Sequence, residues 1–153
     1  IVHAPTQREM KGTAYIVMAM EEIVERYGSR IRWTLVENMS NLEALEIYRR
    51  ADLFIDQLLL GWYGGVAVEV MKMGIPVVCF LREEDLDFIP SGMNSDIPIL
   101  KASVETITTV ISNFIENRDQ VETLSDQCFD YVMKWHKPEN VAKMVLDVYS
   151  GDK

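Results

Sequence analysis

Gly61–Pro76 reads GWYGGVAVEVMKMGIP. The glycine pair Gly64-Gly65 opens an apolar run that ends at Gly74, and Pro76 starts a second apolar run. The pattern predicts a helix over Gly65–Met73, stopped by Gly74, and a buried strand over Pro76–Phe80. Upstream, Leu53–Ile55 predicts a strand that ends in Asp56-Gln57. Strand, turn, helix and strand in this order form a βαβ unit, whose strands are parallel because the helix carries the chain back. The turn also carries chemistry. Backbone N–H groups at a glycine turn before a helix can face a phosphate. Glu69, the one carboxylate in the run, lies a turn further on, where it can accept hydrogen bonds from a ribose.

The same alternation extends in both directions. Ile1–Ala4 reads as a short strand and Pro5–Gly12 as a loop containing Arg8 and Lys11. Thr13–Tyr27 predicts a helix with Ile16, Val17, Met20, Ile23, Val24 and Tyr27 on one face and Gly28 as its stop. Ile31–Glu37 alternates as a strand does, and Ser40-Asn41-Leu42-Glu43 is a capping box opening a helix to about Arg50. Ile97–Leu100 is a short edge strand. The last third predicts helices over about Val104–Asn117, Asp119–Trp135 and Pro138–Tyr149, with Ser103 capping the first and Pro138 in the first turn of the last. The expected fold is α/β: one domain over residues 1–153, a Rossmann-like parallel sheet with helices on both faces and extra C-terminal helices. Ligands in such sheets bind beyond the carboxyl ends of the strands. Pro5–Gly12, Glu37–Ser40 and Asp56–Gly65 are therefore expected to line one crevice.

Bulk composition bounds the function. The hydrophobic fraction is 48%, that of a globular chain, and the net charge of −9 argues against a nucleic-acid surface. It leaves room for one small anion, because local donors outweigh distant surface charge in a cleft. The two cysteines, Cys79 and Cys128, form no CxxC, a usage that points to a reducing, cytoplasmic compartment. No apolar run approaches a membrane-spanning length. The acidic chain shows no basic amphipathic face, so any peripheral attachment to the inner face of a membrane would belong to a longer parent. The chain starts without Met, inside an apparent strand, as a piece of a longer protein would.

Several residues are candidates for chemistry. Glu69 is either a solvated helix acid paired with Lys72 or a ligand group; its apolar neighbours Val66, Ala67, Val68, Val70 and Met71 argue against a fully solvated face. Gly64 and Gly65 are either ordinary loop glycines or the donors of a phosphate turn. Arg8 and Lys11, in the first strand-to-helix loop, are either solvated cations or partners of a diphosphate. His136 follows Trp135 at a helix end, where a capping role is expected. Met18, Met20, Met71 and Met73 are expected on helical core faces. No His, Cys or Asp cluster has metal-ligand spacing, and neither a GxxxxGK[ST] loop nor a GxGxxG fingerprint occurs.

HAPTQREMKGT at His3–Thr13, ADLFIDQLLLGWYGGVAVEVMKMGIPVV at Ala51–Val78 and YVMKWHKPENVAKMVLDVY at Tyr131–Tyr149 together resemble the C-terminal half of a GT-B glycosyltransferase. The likeness is to the large retaining family that uses nucleotide-sugar donors. It implies that Glu69 grips the ribose hydroxyls, that Lys11 contacts the donor phosphates, and that the helix opened at Gly64 faces the diphosphate. Gly74, Pro76 and Val77 match the family's closing Gly-x-Pro-Val. Arg8 stands in for a family arginine that lies further upstream. Gly61 occupies the place of a carboxylate that touches the transferred sugar, which leaves retention or inversion open, with Gln57 or Asp56 as possible substitutes.

The resemblance implies a hexosyltransferase in polysaccharide or glycoconjugate assembly. This chain would be its donor-binding half, inactive alone, and an N-terminal domain of the same parent would bind the acceptor. Donor contacts are then Glu69, Lys11, Arg8, Gly64, Gly65 and Gln57, the partner is a nucleotide sugar, and neither a cofactor nor a metal is expected. Negative charge growing on the leaving diphosphate would be stabilised by Lys11, Arg8 and the glycine-turn N–H groups, and Glu37–Met39 would flank the base. A sugar-nucleotide epimerase-like domain and a non-catalytic nucleotide-binding module remain as alternatives, the latter favoured by Gly61.

Overall fold

A computed structural model describes residues 1–151. Five strands form one parallel sheet: β1 (Val2–His3), β2 (Thr34–Leu35), β3 (Phe54–Ile55), β4 (Val77–Cys79) and β5 (Leu100–Lys101). The helices are α1 (Arg8–Lys11), α2 (Thr13–Tyr27), α3 (Asn41–Tyr48), α4 (Gly65–Lys72), α5 (Ser91–Asp96), α6 (Ile107–Glu116), α7 (Val121–Trp135) and α8 (Pro138–Ser150). The sheet order is β2-β1-β3-β4-β5, and every neighbouring pair is parallel. This is the α/β, Rossmann-like class expected, with α6, α7 and α8 as the additional C-terminal helices.

Local chemistry sets the boundaries. In α3 the Ser40 hydroxyl accepts from the Glu43 N–H, and the Glu43 carboxylate accepts from the Ser40 N–H, completing the capping box. Gly28 ends α2 at φ 56°, and Gly74 follows α4 at φ 73°, conformations that glycine enters without a Cβ penalty. The central strands β3 and β4 are buried on both faces and apolar throughout. Successive side chains alternate between two cores. Phe54, Val77 and Cys79 join the core built with α3, α4 and α7, whereas Leu53, Ile55 and Val78 join the core built with α2 and α6.

Several expectations need correction. Pro5–Gly12 is not all loop: Arg8–Lys11 forms a helical turn, closed by Gly12 at φ 71°. Met18 and Met73 are exposed rather than core residues, and Val24 is exposed on α2, whose buried face is Thr13, Ile16, Ala19, Met20 and Ile23. Ser103 caps a separate turn before α6, its hydroxyl accepting from the Glu105 N–H at 3.2 Å. The strands are shorter than the apolar runs that contain them, since only paired residues belong to the ladder.

Candidate functional site

Strand order places a site. From β1 the chain runs through α2 to β2 on one side, and from β3 it runs through α4 to β4 on the other. The connections leaving the adjacent carboxyl ends of β1 and β3 therefore diverge and leave a crevice at this topological switch point. The loop after β1 carries Arg8, Lys11 and Gly12, and the loop after β3 carries Asp56 to Gly65. The two are fastened together: Leu58 N–H donates to the Lys11 carbonyl at 3.1 Å, and a Cβ on Gly12 would stand 3.0 Å from Leu59 Cγ. The Arg8–Glu37 ion pair, at 3.3 Å, adds the connection after β2. Contacts therefore link all three segments at the carboxyl edge of the sheet.

At its centre lies a buried ion pair. Lys11 Nζ donates to Asp56 Oδ1 at 2.5 Å, and Gly64 N–H donates to Asp56 Oδ2 at 2.6 Å. Asp56 is 1% exposed and Lys11 9%. Neither Lys11 nor Arg8 is thus a free cation, as the sequence reading had them; each has a carboxylate partner brought from a distant segment. Gly64 N–H is likewise turned to Asp56 and not to a ligand. The bare donors of the turn are the next two, Gly65 and Val66 N–H, which have no acceptor among the described residues. Gly65 is exposed, with nothing within 4 Å of its Cβ position, so the amino end of α4 opens directly into the crevice.

Gln57 has a different role from the one expected. It is fully buried, its Nε2 donates to the carbonyls of Trp62 and Phe80 at 2.9 Å each, and its Oε1 accepts from Leu60 N–H at 2.6 Å. Its amide shapes the 57–63 loop and has nothing left to offer a sugar. Gly61 is explained by its backbone: φ is 82°, and a Cβ there would meet the Arg82 guanidinium at 3.1 Å. Arg82 N–H donates to the Gly61 carbonyl at 2.8 Å, so Arg82, three residues beyond β4, lies over the loop. Arg82 was not among the expected site residues; its position just after a predicted strand was the available signal. Glu69 is on the exposed side of α4 and forms no ion pair with Lys72 among the described residues. Its charge, after burial, is a second cause of the raised pKa of Tyr48 on α3.

Two histidines support the crevice from behind. His3 is fully buried at the carboxyl end of β1, between the end of β3 and the start of α2. Its Nδ1 lies 2.8 Å from the Ile55 carbonyl and its Nε2 2.9 Å from Thr13 Oγ1. A carbonyl only accepts, so Nδ1 carries the proton and Nε2 accepts from Thr13. Burial pushes the ring down to about 4; the Ile55 carbonyl opposes this and the Lys11 charge reinforces it. His136 is the C-cap of α7 as expected, through its backbone N–H, which donates to the Val132 carbonyl at 2.9 Å, while its side chain turns to the glycine loop. Its Nε2 meets the Tyr63 hydroxyl at 2.9 Å, and Tyr63 also bonds Tyr131 at 2.8 Å, which ties the glycine turn to the end of α7.

The shift of His3 has a stability consequence. Between pH 6.5 and about 4 the unfolded chain binds a proton at His3 that the folded protein excludes, so stability falls as pH falls through that window. Between pH 7.5 and 5 the expected loss is about 2 kcal/mol. Urea unfolding at the two pH values measures it, and His3→Gln should remove most of this dependence.

A cavity of about 810 Å³ opens at the opposite end of the sheet, among Ile1, Arg32, Thr34, Arg50 and Phe114. It lies at the amino ends of the strands, away from the glycine turn. Among the described residues, no cluster of three or more His, Cys, Asp or Glu side chains is arranged to hold a metal ion, and no helix is long and apolar enough to cross a membrane. No protein-family model matches the chain, and no curated protein matches it.

Proposed function

We propose that this domain binds the nucleoside diphosphate of a sugar donor, as the donor half of a GT-B glycosyltransferase acting in polysaccharide or glycoconjugate assembly. The observation that carries the reading is the Lys11 ammonium beside the open amino end of α4 at the switch point between β1 and β3, with Arg8 on the same helical turn as Lys11. In this reading Gly65 and Val66 N–H bind phosphate oxygens, and the Lys11 ammonium lies beside them. As the bond from sugar to phosphate breaks, the charge that grows on the leaving diphosphate meets fixed donors that need no reorganisation. Glu69, one turn along α4, holds the ribose and so fixes the donor's position. The acceptor comes from a second domain of a cytoplasmic parent.

The test is calorimetric titration with UDP, GDP, ADP and their hexose esters. Binding of one nucleotide with micromolar affinity is expected, weakened about tenfold by Glu69→Ala, which removes an exposed side chain and leaves the fold alone. No binding to any of them, or an unchanged affinity in Glu69→Ala, would sink the assignment. A second reading is a nucleotide-binding module without transfer. Gly61 favours it, because Arg82 fills the space where a side chain at that position would reach the sugar. Release of nucleotide from the donor by the parent protein, with acceptor or water, would exclude that reading.

A further inference from the structure

We propose that Asp56 is a positioning residue of this site: its buried carboxylate holds the Lys11 ammonium beneath the glycine turn and pins the Gly64 N–H. The crevice then presents a fixed cation before an anion arrives. The inference rests on the nucleotide-binding reading, and it adds a residue to which that reading gives no part. Three observations carry it. Both Asp56 oxygens are committed, one to Lys11 at 2.5 Å and one to Gly64 N–H at 2.6 Å, and the residue is 1% exposed. The ammonium lies directly under the turn, 3.2 Å from the position a Cβ on Gly64 would take, so a side chain at residue 64 would push it aside by a few tenths of an ångström. An ammonium has three N–H donors, and Asp56 takes one. No other acceptor within the protein engages Lys11 Nζ among the described residues. Asp56 therefore neutralises the cation without using up its hydrogen bonds, and the remaining donors are free for phosphate oxygens.

The surrounding groups make the role measurable. His3 from β1, Arg8 from α1 and Cys79 from β4 are the titratable or charged side chains around the pair; the turn into α4 contributes backbone at Gly64 and Gly65. His3 is neutral above about pH 4, and burial pushes the Cys79 thiol up. Neither changes charge between pH 6.5 and 8.5. A change of affinity in an Asp56 variant within this range therefore reports on the Lys11–Asp56 pair.

The experiment compares wild type, Asp56→Asn and Asp56→Glu by calorimetry with UDP-glucose, or GDP-mannose if that binds more tightly, at about pH 7.5. Asparagine keeps one acceptor for Gly64 N–H and turns its NH2 toward Lys11, so the ammonium loses both the charge and the acceptor beneath it. Asp56→Asn is expected to bind about tenfold more weakly than wild type, and Asp56→Glu to recover most of that loss. In a Lys11→Met background Asp56→Asn should cause no further loss, because Asp56 acts on the ligand through the ammonium. An equal further loss in that background, or an Asp56→Asn affinity equal to wild type, overturns the proposal. If Asp56→Asn does not fold, an Asp56→Glu protein that folds and binds as weakly as Lys11→Met overturns it as well. If wild type binds no nucleotide sugar, the donor-site reading falls, and the assignment of Asp56 to such a site falls with it.

Discussion

Lys11→Met is expected to destabilise the domain by about 3–5 kcal/mol, the range for removing one partner of a buried ion pair. The loss does not measure the attraction between the charges. It arises because Asp56, 1% exposed, stays buried with no cation beside it, and because the loops after β1 and β3 lose the link that fastens them. A domain of this kind has about 5–15 kcal/mol in total, so the variant gives up a large share. Urea unfolding reads the effect as a lower midpoint with little change in slope. Two comparisons isolate the cause. Arg8→Met breaks an ion pair whose arginine is 58% exposed, and should change stability by less than about 1 kcal/mol. The double change Lys11→Met with Asp56→Asn removes both charges and keeps an acceptor for Gly64 N–H, so it should recover most of the loss. A cost below about 1 kcal/mol for Lys11→Met alone would contradict a buried, paired Asp56.

Phe54→Ala is expected to cost a similar 3–5 kcal/mol, for a different reason. Phe54 is fully buried on the central strand β3, edge-on to Tyr48 with ring centroids 5.3 Å apart, and packs in the core shared with α4 and α7. Its neighbours Val2 and Val77 belong to paired strands and cannot move into the space without breaking the ladder. The cavity therefore stays open, and the loss includes both the transfer energy of the ring and the missing contacts around it. Phe88 provides the contrast: it is 87% exposed, and Phe88→Ala should stay within about 0.5 kcal/mol of wild type. Equal losses for the two phenylalanines would mean that the core is placed wrongly.

The sequence was most legible where the chemistry is local. Ser40 and Glu43 marked the start of α3, and Gly28 and Gly74 marked two helix ends, because caps and left-handed glycines act within a turn of the chain. Gly64-Gly65 before an apolar run marked the amino end of α4. Side-chain partners were much less legible. Gln57 looked like a sugar contact, and it is the internal brace of its own loop. Lys11 and Arg8 looked like unpaired cations, and Gly64 like a phosphate donor; each has a carboxylate acceptor instead. Met18 and Met20 looked alike by type, but two positions along a helix is more than half a turn, and only Met20 faces the sheet.

Alternating strand and helix signals were enough for a parallel sheet covered on both faces, since each βαβ step constrains the next. They did not contain the order β2-β1-β3-β4-β5, because strands pair through backbone groups that every residue carries. That order puts the loops after β1 and β3 side by side and so brings Lys11 to Asp56 across 45 positions of sequence. Helix caps and stops act over a few bonds and can be read along the chain. The partner of a buried charge is chosen through space, by whichever segment the folded sheet sets beside it, and it is there that this crevice acquires its fixed cation.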